Sequence, residues 1–419
     1  MNYLSPLINY RTSYFFAFYS LVFLLSVNII PQVFTVLVVF VVLSLFFIDR
    51  EGFGVHKNIR YFYYISLFWF FSAVISVVTF NYENLFIMSF EPYWVLLLWP
   101  LIYFSSIKYI NNLILFKKIF VILGLIYIFF VFFVVYSDPV RGLGFLESPI
   151  VKGNLGMMVG LMSFVLFFYF KDLFWRLLAV TVFFCGVYFS FLTGSRGGWL
   201  ALFISFFTIL LFLYFYDREK LKSFFIVLFV FALIFIFSWQ FLPISDRILA
   251  AYENVFDYFS GTSRTTSLGY RFDMWLIAIN EFIKSPVWGH GFNSFGEVYK
   301  GYIESGHVPP VSGRATWRQP HNDYLRVLVE QGLIGFIPMM LFFFYPFVFF
   351  IRKIRVHACS QRKIAYLGLM GIVMIESIME FMLTDMNITT KYFMYIYIFT
   401  IVLIMSLISN NVKPLADRL

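Results

Sequence analysis

The sequence predicts an all-α, polytopic membrane protein, and three observations carry that prediction. Hydrophobic residues make up 61% of the 419-residue chain, charged residues only 13%, and the mean hydropathy is +0.85, which lies outside the range of ordinary soluble domains. The apolar residues are collected in runs long enough to cross about 30 Å of hydrocarbon. Short Lys and Arg clusters separate these runs, so the net charge of +9 does not indicate nucleic-acid binding.

The apolar runs predict about twelve transmembrane helices. They lie at residues 14–30, 32–48, 61–80, 92–107, 119–136, 155–170, 177–194, 198–216, 223–242, 332–351, 364–384 and 392–409. One set of loops, counted with both termini, contains nineteen Lys and Arg residues, whereas the short loops of the alternate set contain four. Because basic loops stay on the cytoplasmic side, we expect both termini in the cytoplasm.

The same pattern divides the chain into three parts. Residues 1–242 hold the first nine transmembrane helices, residues 243–331 form one long outer loop, and residues 332–419 hold the last three helices and a cytoplasmic tail. Within the loop, Ser267 is predicted to cap an amphipathic helix over residues 268–284, which we expect to lie against the membrane domain or its interface. Pro320 suits the first turn of a short helix ending near Gly332.

Two arginines on the outer side are candidates for binding an anion. Arg196 lies in a glycine-rich break at residues 193–199, where little side-chain bulk shields it and backbone N–H groups can face a phosphate. The alternative is an arginine in a tight hairpin that reaches the lipid headgroups. Arg271 lies near the start of the amphipathic helix, where the helix dipole disfavours a cation and an anionic partner would be stabilising. Its alternative is a salt bridge to Asp273 or Glu281.

A histidine at the predicted start of the last loop helix is the candidate general base. The helix N-terminus and nearby arginines favour a neutral imidazole at His321, with a lone pair that can accept a proton at neutral pH. The alternative is a capping or surface histidine. His290 and His307 share the loop, but one lies in a turn and the other in a flexible stretch, so both are weaker candidates.

The sequence shows no pattern typical of a bound metal. It contains neither an Asp-x-Asp pair nor His and Cys residues at ligand spacing. We therefore expect no metal and no cofactor. If the protein releases a phosphorylated leaving group, the two candidate arginines would neutralise its charge in place of a metal ion.

Four segments resemble the O-antigen ligase family, which also includes O-antigen polymerases and related transferases of lipid-linked glycans. The segments are residues 193–199, 270–275, 288–293 and 321–335, and the resemblance spans residues 150–345. It implies an α-helical glycosyltransferase of lipopolysaccharide biosynthesis in the bacterial inner membrane, with its active site facing the periplasm. It also implies an undecaprenyl diphosphate-linked glycan as donor, Arg196 and Arg271 as diphosphate-binding residues, and His321 as the base that activates the acceptor hydroxyl.

The resemblance leaves the acceptor open. A ligase transfers the glycan to the lipid A-core oligosaccharide, whereas a polymerase transfers it to another lipid-linked repeat unit. We expect a ligase, because residues 267–272 and 282–286 resemble ligases. Further substrate-binding candidates near the histidine are Asn322, Tyr324, Arg314 and Arg318.

A protein of a different class would be a non-enzymatic lipid-glycan flippase or exporter. Such a protein needs an ionisable path through the bilayer, and Glu376 and Glu380 share one helical face, with Asp385 just beyond them. These acids could instead order the floor of the active site. Arg326 is a candidate for core phosphates or, alternatively, for an ion pair with Glu330 one helical turn away.

Overall fold

The described part of the chain is helical and contains no strand. The computed structural model describes residues 57–80, 91–97, 99, 123–133, 149–238, 244–311, 316–385, 388 and 391–411. Its main helices are α1 (Lys57–Phe80), α2 (Leu123–Phe133), α3 (Pro149–Tyr169), α4 (Leu173–Leu192), α5 (Arg196–Tyr216), α6 (Leu221–Ser238), α7 (Ile244–Ser260), α8 (Ser267–Lys284), α9 (Phe295–Glu304), α10 (Asp323–His357), α11 (Arg362–Thr384) and α12 (Lys391–Asn411).

Eight segments of the described residues are long and apolar enough to cross a membrane. They correspond to α1, α3, α4, α5, α6, α10, α11 and α12. This confirms the all-α class, and eight of the predicted spans coincide with helices of this kind. The predicted spans at 14–30 and 32–48 lie outside the described residues, and those at 92–107 and 119–136 lie within them only in part.

Helix α11 is the centre of the bundle. It packs against α3, α5, α10 and α12, and it is buried along most of its length by these neighbours. Its C-terminal end, at Thr384 and Asp385, therefore lies where several helices terminate together.

Helix α8 occupies the predicted residues but uses a different cap and a different buried face. Thr266, rather than Ser267, caps it, with its hydroxyl accepting a hydrogen bond from the backbone N–H of Gly269 at 3.0 Å. The buried apolar side chains are Met274 and Ile277, which belong to a small core formed with other residues of the loop. Much of the apolar stripe expected against the membrane domain is exposed, as described below.

Helix α10 confirms the prediction of a short helical segment that ends near Gly332, but it corrects where that segment begins. It begins at Asp323 rather than at Pro320, and Asn322 caps it by accepting a hydrogen bond from the N–H of Leu325 at 3.0 Å. The helical backbone is interrupted at Gly332, whose φ is +61°, and a second helical segment continues from there to His357. A side chain there would adopt a strained backbone conformation.

The break in α10 is closed by the glycine-containing segment that follows α8. The N–H groups freed beyond the break donate to carbonyls of that segment, from Leu333 to Pro286 at 2.9 Å and from Ile334 to Val287 at 3.3 Å. In return, the carbonyls of Val329 and Glu330 accept from the N–H groups of His290 and Gly291 at 2.8 and 2.9 Å. The segment after α8 is thus a structural joint that fixes the start of α10.

Candidate functional site

The three residues singled out in the sequence come from separate elements that meet at one end of the helices. Arg196 is the first residue of α5, Arg271 lies near the start of α8, and His321 precedes the cap of α10. All three lie beside the C-terminal end of α11, at Thr384 and Asp385.

The ring of His321 is held by a carboxylate and by an aromatic neighbour. Its Nδ1 lies 2.8 Å from Oδ1 of Asp385, and its ring centroid lies 5.7 Å from that of Trp317 in an edge-on arrangement. Trp275 donates a hydrogen bond from Nε1 to the carbonyl of the preceding Pro320 at 3.0 Å. The backbone of His321 has a φ of +50°, which is unusual for a residue with a side chain and is found mostly where the surroundings enforce it.

The contact with Asp385 decides which ring nitrogen can accept a proton. An ionised carboxylate only accepts hydrogen bonds, so a neutral His321 carries its proton on Nδ1. The lone pair is then on Nε2, on the opposite side of the ring. This is the arrangement that a general base needs, with a second residue fixing its orientation.

Arg271 is anchored to the end of α11 rather than to the acids proposed as its alternative partners. Its Nη1 donates to the carbonyl oxygen of Thr384 at 2.7 Å. Asp273 pairs with Arg264, and Glu281 pairs with Lys284. The predicted salt bridge from Arg271 to either acid is therefore wrong.

The electrostatic surroundings of Arg271 favour an anionic ligand. Burial lowers the pKa of Arg271, the positive charge of Arg196 acts in the same direction, and the negative charge of Asp385 opposes both. The last two interactions place Arg196 and Asp385 each within electrostatic reach of Arg271. A partly desolvated pair of guanidinium groups would be stabilised by the oxygens of a phosphoryl group.

Arg196 is brought to the same place by close packing between α5 and α11. A Cβ atom at Gly197 would collide with the hydroxyl of Thr384, so the glycine permits this approach. The guanidinium of Arg196 makes a long contact, 3.5 Å, with the carbonyl oxygen of Arg247 in α7. The turn between α4 and α5 is thus packed against α7 and α11 at this end of the protein.

The weaker candidates divide into three groups. Asn322 donates to the carbonyl of Leu383 at 3.1 Å and Tyr324 to that of Met379 at 2.9 Å, so both side chains hold α10 against α11. Arg318 is exposed, and Arg314 lies outside the described residues. Substrate binding by these four residues remains a prediction.

Other ionisable residues of the loop and of α11 have structural contacts. Arg326 forms a buried ion pair with Glu330, with 3.1 Å between Nε and Oε2, which confirms the alternative given for it. His290 lies 2.9 Å from the backbone carbonyl of Glu281 through Nε2. Glu376 accepts a hydrogen bond from Thr208 of α5 at 2.9 Å. Across the described residues, no group of three His, Cys, Asp or Glu side chains is arranged to hold a metal ion.

Sequence reasoning missed the contact between Asp385 and the histidine, and it assigned no role to Trp317 or Trp275. The position of Asp385 directly after an apolar run marked it as a polar residue at a membrane boundary. Its distance from His321 in the sequence, 64 residues, carried no signal that the two side chains touch.

Part of this chain is similar to a known protein family. Residues 181–343 match the family described as O-antigen ligase. The predicted resemblance to the O-antigen ligase family is confirmed over these residues. The O-antigen ligase segment includes Arg196, Arg271 and His321, whereas Asp385 lies beyond it.

A curated relative is an uncharacterized protein of Haemophilus influenzae. It is 30% identical over 229 residues, which cover 54% of this chain and 56% of the relative. The chain thus spans a little over half the length of the curated relative that it matches.

Proposed function

We propose that this protein is a multi-pass glycosyltransferase of the bacterial inner membrane that uses an undecaprenyl diphosphate-linked glycan as donor. The observation that carries the proposal is the convergence of His321, Arg196 and Arg271 around the end of α11, with His321 bound through Nδ1 to Asp385. The match of residues 181–343 to the O-antigen ligase family supports a role in lipopolysaccharide biosynthesis.

The proposed reaction is a single displacement at the anomeric carbon of the donor sugar. Nε2 of His321 takes the proton of the acceptor hydroxyl while the acceptor oxygen attacks that carbon. The bond from the carbon to the diphosphate oxygen breaks, and undecaprenyl diphosphate leaves with the bonding electron pair. Arg196 and Arg271 bind the phosphoryl oxygens and neutralise the developing charge. One displacement inverts the configuration of the carbon.

The proposed acceptor is the lipid A-core oligosaccharide, so the protein would be an O-antigen ligase. A polymerase uses the same leaving group and the same base, and differs only in taking a second lipid-linked repeat unit as acceptor. Purified protein in proteoliposomes, given labelled donor with one acceptor or the other, distinguishes the two. Transfer to lipid A-core is the expected result, and transfer only to the second repeat unit would replace the ligase with a polymerase.

The proposed orientation places the site on the periplasmic side and both termini in the cytoplasm. The α4–α5 turn, the loop from α7 to the start of α10 and the end of α11 lie together at one end of the helices, as their mutual contacts require. At the opposite end, Asp217 interacts with Arg362 and Tyr366. We propose the division into residues 1–242, 243–331 and 332–419 on the same basis.

Replacing His321 with Ala tests the enzymatic proposal against the flippase or exporter. We expect His321→Ala to reduce kcat by about 10²–10⁴-fold, the usual contribution of a general base. His290→Ala is the matched control, because His290 lies in the same loop and contacts a backbone carbonyl. Both variants are compared by size-exclusion profile and by glycan transfer. Full transfer by a folded His321→Ala protein would exclude His321 as the base and would favour a protein that only moves the lipid.

A further inference from the structure

Helix α7 carries its apolar side chains on the side that faces away from the protein. The large apolar residues of this helix are between 37% and 76% exposed, namely Ile248, Leu249, Tyr252, Val255, Phe256 and Phe259. Positions 248, 252, 255 and 259 follow helical spacing and therefore form one stripe. A helix on the surface of a soluble protein shows the reverse pattern.

The inward side of α7 is polar or small. The less exposed residues there are Arg247, Ala250, Ala251, Asn254, Asp257 and Tyr258, and none of residues 245–260 is fully buried. A helix of seventeen residues gains most of its stability from burying an apolar face. Contacts with the described part of the chain leave the apolar face of α7 exposed, so this face is available to another partner.

The stripe continues on α8. Phe272, Leu276, Ile279 and Ile283 again follow helical spacing, and the last three are 51%, 43% and 67% exposed. The rings of Phe259 and Phe272 lie 5.9 Å apart, so the two stripes form a single surface, here termed the α7–α8 apolar surface. Contiguous apolar surfaces of this kind mark contacts with a protein or a membrane.

The position of the surface favours lipid as its occupant. Helix α6 is apolar enough to cross a membrane and exposes Phe229, Ile236 and Phe237. It ends at Ser238, and α7 begins at Ile244, so a short connection joins the outward stripe to a wall that would face lipid. We propose that the α7–α8 apolar surface is inserted among the acyl chains of the membrane leaflet on the side of the candidate site, with α7 lying along the interface.

The charges of α7 indicate what drives this insertion. Three acids, Asp246, Glu253 and Asp257, outnumber the single basic residue, Arg247. Attraction to anionic headgroups therefore contributes little, and the burial of apolar area provides the binding free energy. Insertion is expected to be insensitive to the anionic lipid content of the membrane.

Insertion of α7 would also set the depth of the diphosphate site, a consequence that rests on the proposed function. The guanidinium of Arg196 contacts the backbone carbonyl of Arg247. The side chain of Arg247 also packs against Gly194, because its Nε would lie only 2.8 Å from a Cβ atom added to that glycine. The first turn of α7 thus sits on the turn that carries Arg196. A docked α7 would hold that arginine level with the headgroups, where the phosphates of a lipid carrier lie while its chain remains in the bilayer.

Collision measurements on single nitroxide labels test the insertion without using activity. The full chain carries Cys185→Ala and Cys359→Ala, one added cysteine, and a spin label, and it is placed in bilayers of phosphatidylethanolamine and phosphatidylglycerol. Tyr252→Cys and Phe256→Cys report the apolar stripe, and Glu253→Cys is the matched control at an exposed acid beside the stripe in the same turn. We expect oxygen collisions to exceed those of a water-soluble nickel complex at 252 and 256, and the opposite at 253.

Two outcomes would overturn the insertion. Equal access of the nickel complex to all three labels would mean that the surface faces water. Protection of the labels at 252 and 256 from both oxygen and the nickel complex, together with spin–spin broadening, would mean that a second copy of the chain covers the α7–α8 apolar surface. Replacing phosphatidylglycerol with phosphatidylcholine should leave the pattern unchanged. Because no readout depends on glycan transfer, failure of the proposed function would not alter these results.

Discussion

At the scale of single residues, the site depends on one hydrogen bond between side chains from different helices. Asp385 contacts His321 at 2.8 Å, and both side chains are largely buried, at 9% and 20% exposed. A carboxylate in that position keeps the imidazole oriented, and it would stabilise the imidazolium if His321 takes a proton as proposed. Asp385 is therefore expected to act through His321 rather than on the substrate.

Replacing Asp385 with Asn should lower kcat by about 10–100-fold, the usual cost of losing an outer partner of a functional histidine. The KM for the donor should change little, because Asp385 is not expected to bind the diphosphate directly. The measurement is steady-state glycan transfer in proteoliposomes. Asp246→Asn, an exposed carboxylate at the same end of the protein, is the control. A kcat equal to that of the control would show that the contact does not serve the reaction.

Replacing Arg271 with Lys should raise the KM for the lipid-linked donor. Lysine keeps the charge but loses the planar pair of donors that matches phosphoryl oxygens, which corresponds to about 1–3 kcal/mol for a charge-assisted contact, or roughly a 5- to 150-fold change. Arg264→Lys provides the matched control, since Arg264 pairs with Asp273 near the start of the same helix. A donor KM that rises equally in both variants would indicate a change in fold rather than in diphosphate binding.

At the scale of elements, the joint between α10 and the segment after α8 determines where His321 can lie. The break at Gly332 releases backbone groups, and residues 286–291 satisfy them. The start of α10 is therefore fixed by paired hydrogen bonds rather than by helix propensity.

Replacing Gly332 with Ala should destabilise the protein. The positive φ alone costs about 1–3 kcal/mol for a residue with a side chain, and the added Cβ would also collide with the carbonyl of Val287. Gly301→Ala is the control, because Gly301 lies inside α9 with open space around it and should gain about 0.5–1 kcal/mol. Thermal unfolding in detergent, followed by tryptophan fluorescence, compares the two. Equal melting temperatures would show that the joint is not under the inferred constraint.

At the scale of the whole molecule, the contacts separate the two ends of the bundle. The candidate site lies at the end that holds Asp385, and the loop between α10 and α11, with Cys359, lies at the other. The proposed cytoplasmic loops contain the basic residues Arg352, Lys353 and Arg362. These residues lie at the end of the bundle that holds Cys359.

The proposed orientation predicts that Cys359 is labelled only from the cytoplasm. Cys359 is exposed and so available to a maleimide that cannot cross membranes. We expect labelling in inverted vesicles and none in intact spheroplasts, in a protein whose Cys185 is replaced by Ala. An added cysteine at the exposed Glu304 should show the opposite pattern. Labelling of Cys359 from the outside would reverse the orientation and place the candidate site in the cytoplasm.

The sequence by itself determined the all-α class, the confirmed spans and the short segments that carry Arg196, Arg271 and His321. Hydropathy, charge alternation and turn residues are local properties, and they can be read along the chain. The pairing of Arg326 with Glu330 was predictable for the same reason, since they are one helical turn apart. Only the tertiary structure decided that Asp385 holds His321 and that Arg271 bonds to Thr384, 113 residues away. It also decided that α8 buries the opposite face, because such contacts depend on which helix ends meet, and sequence spacing does not encode that.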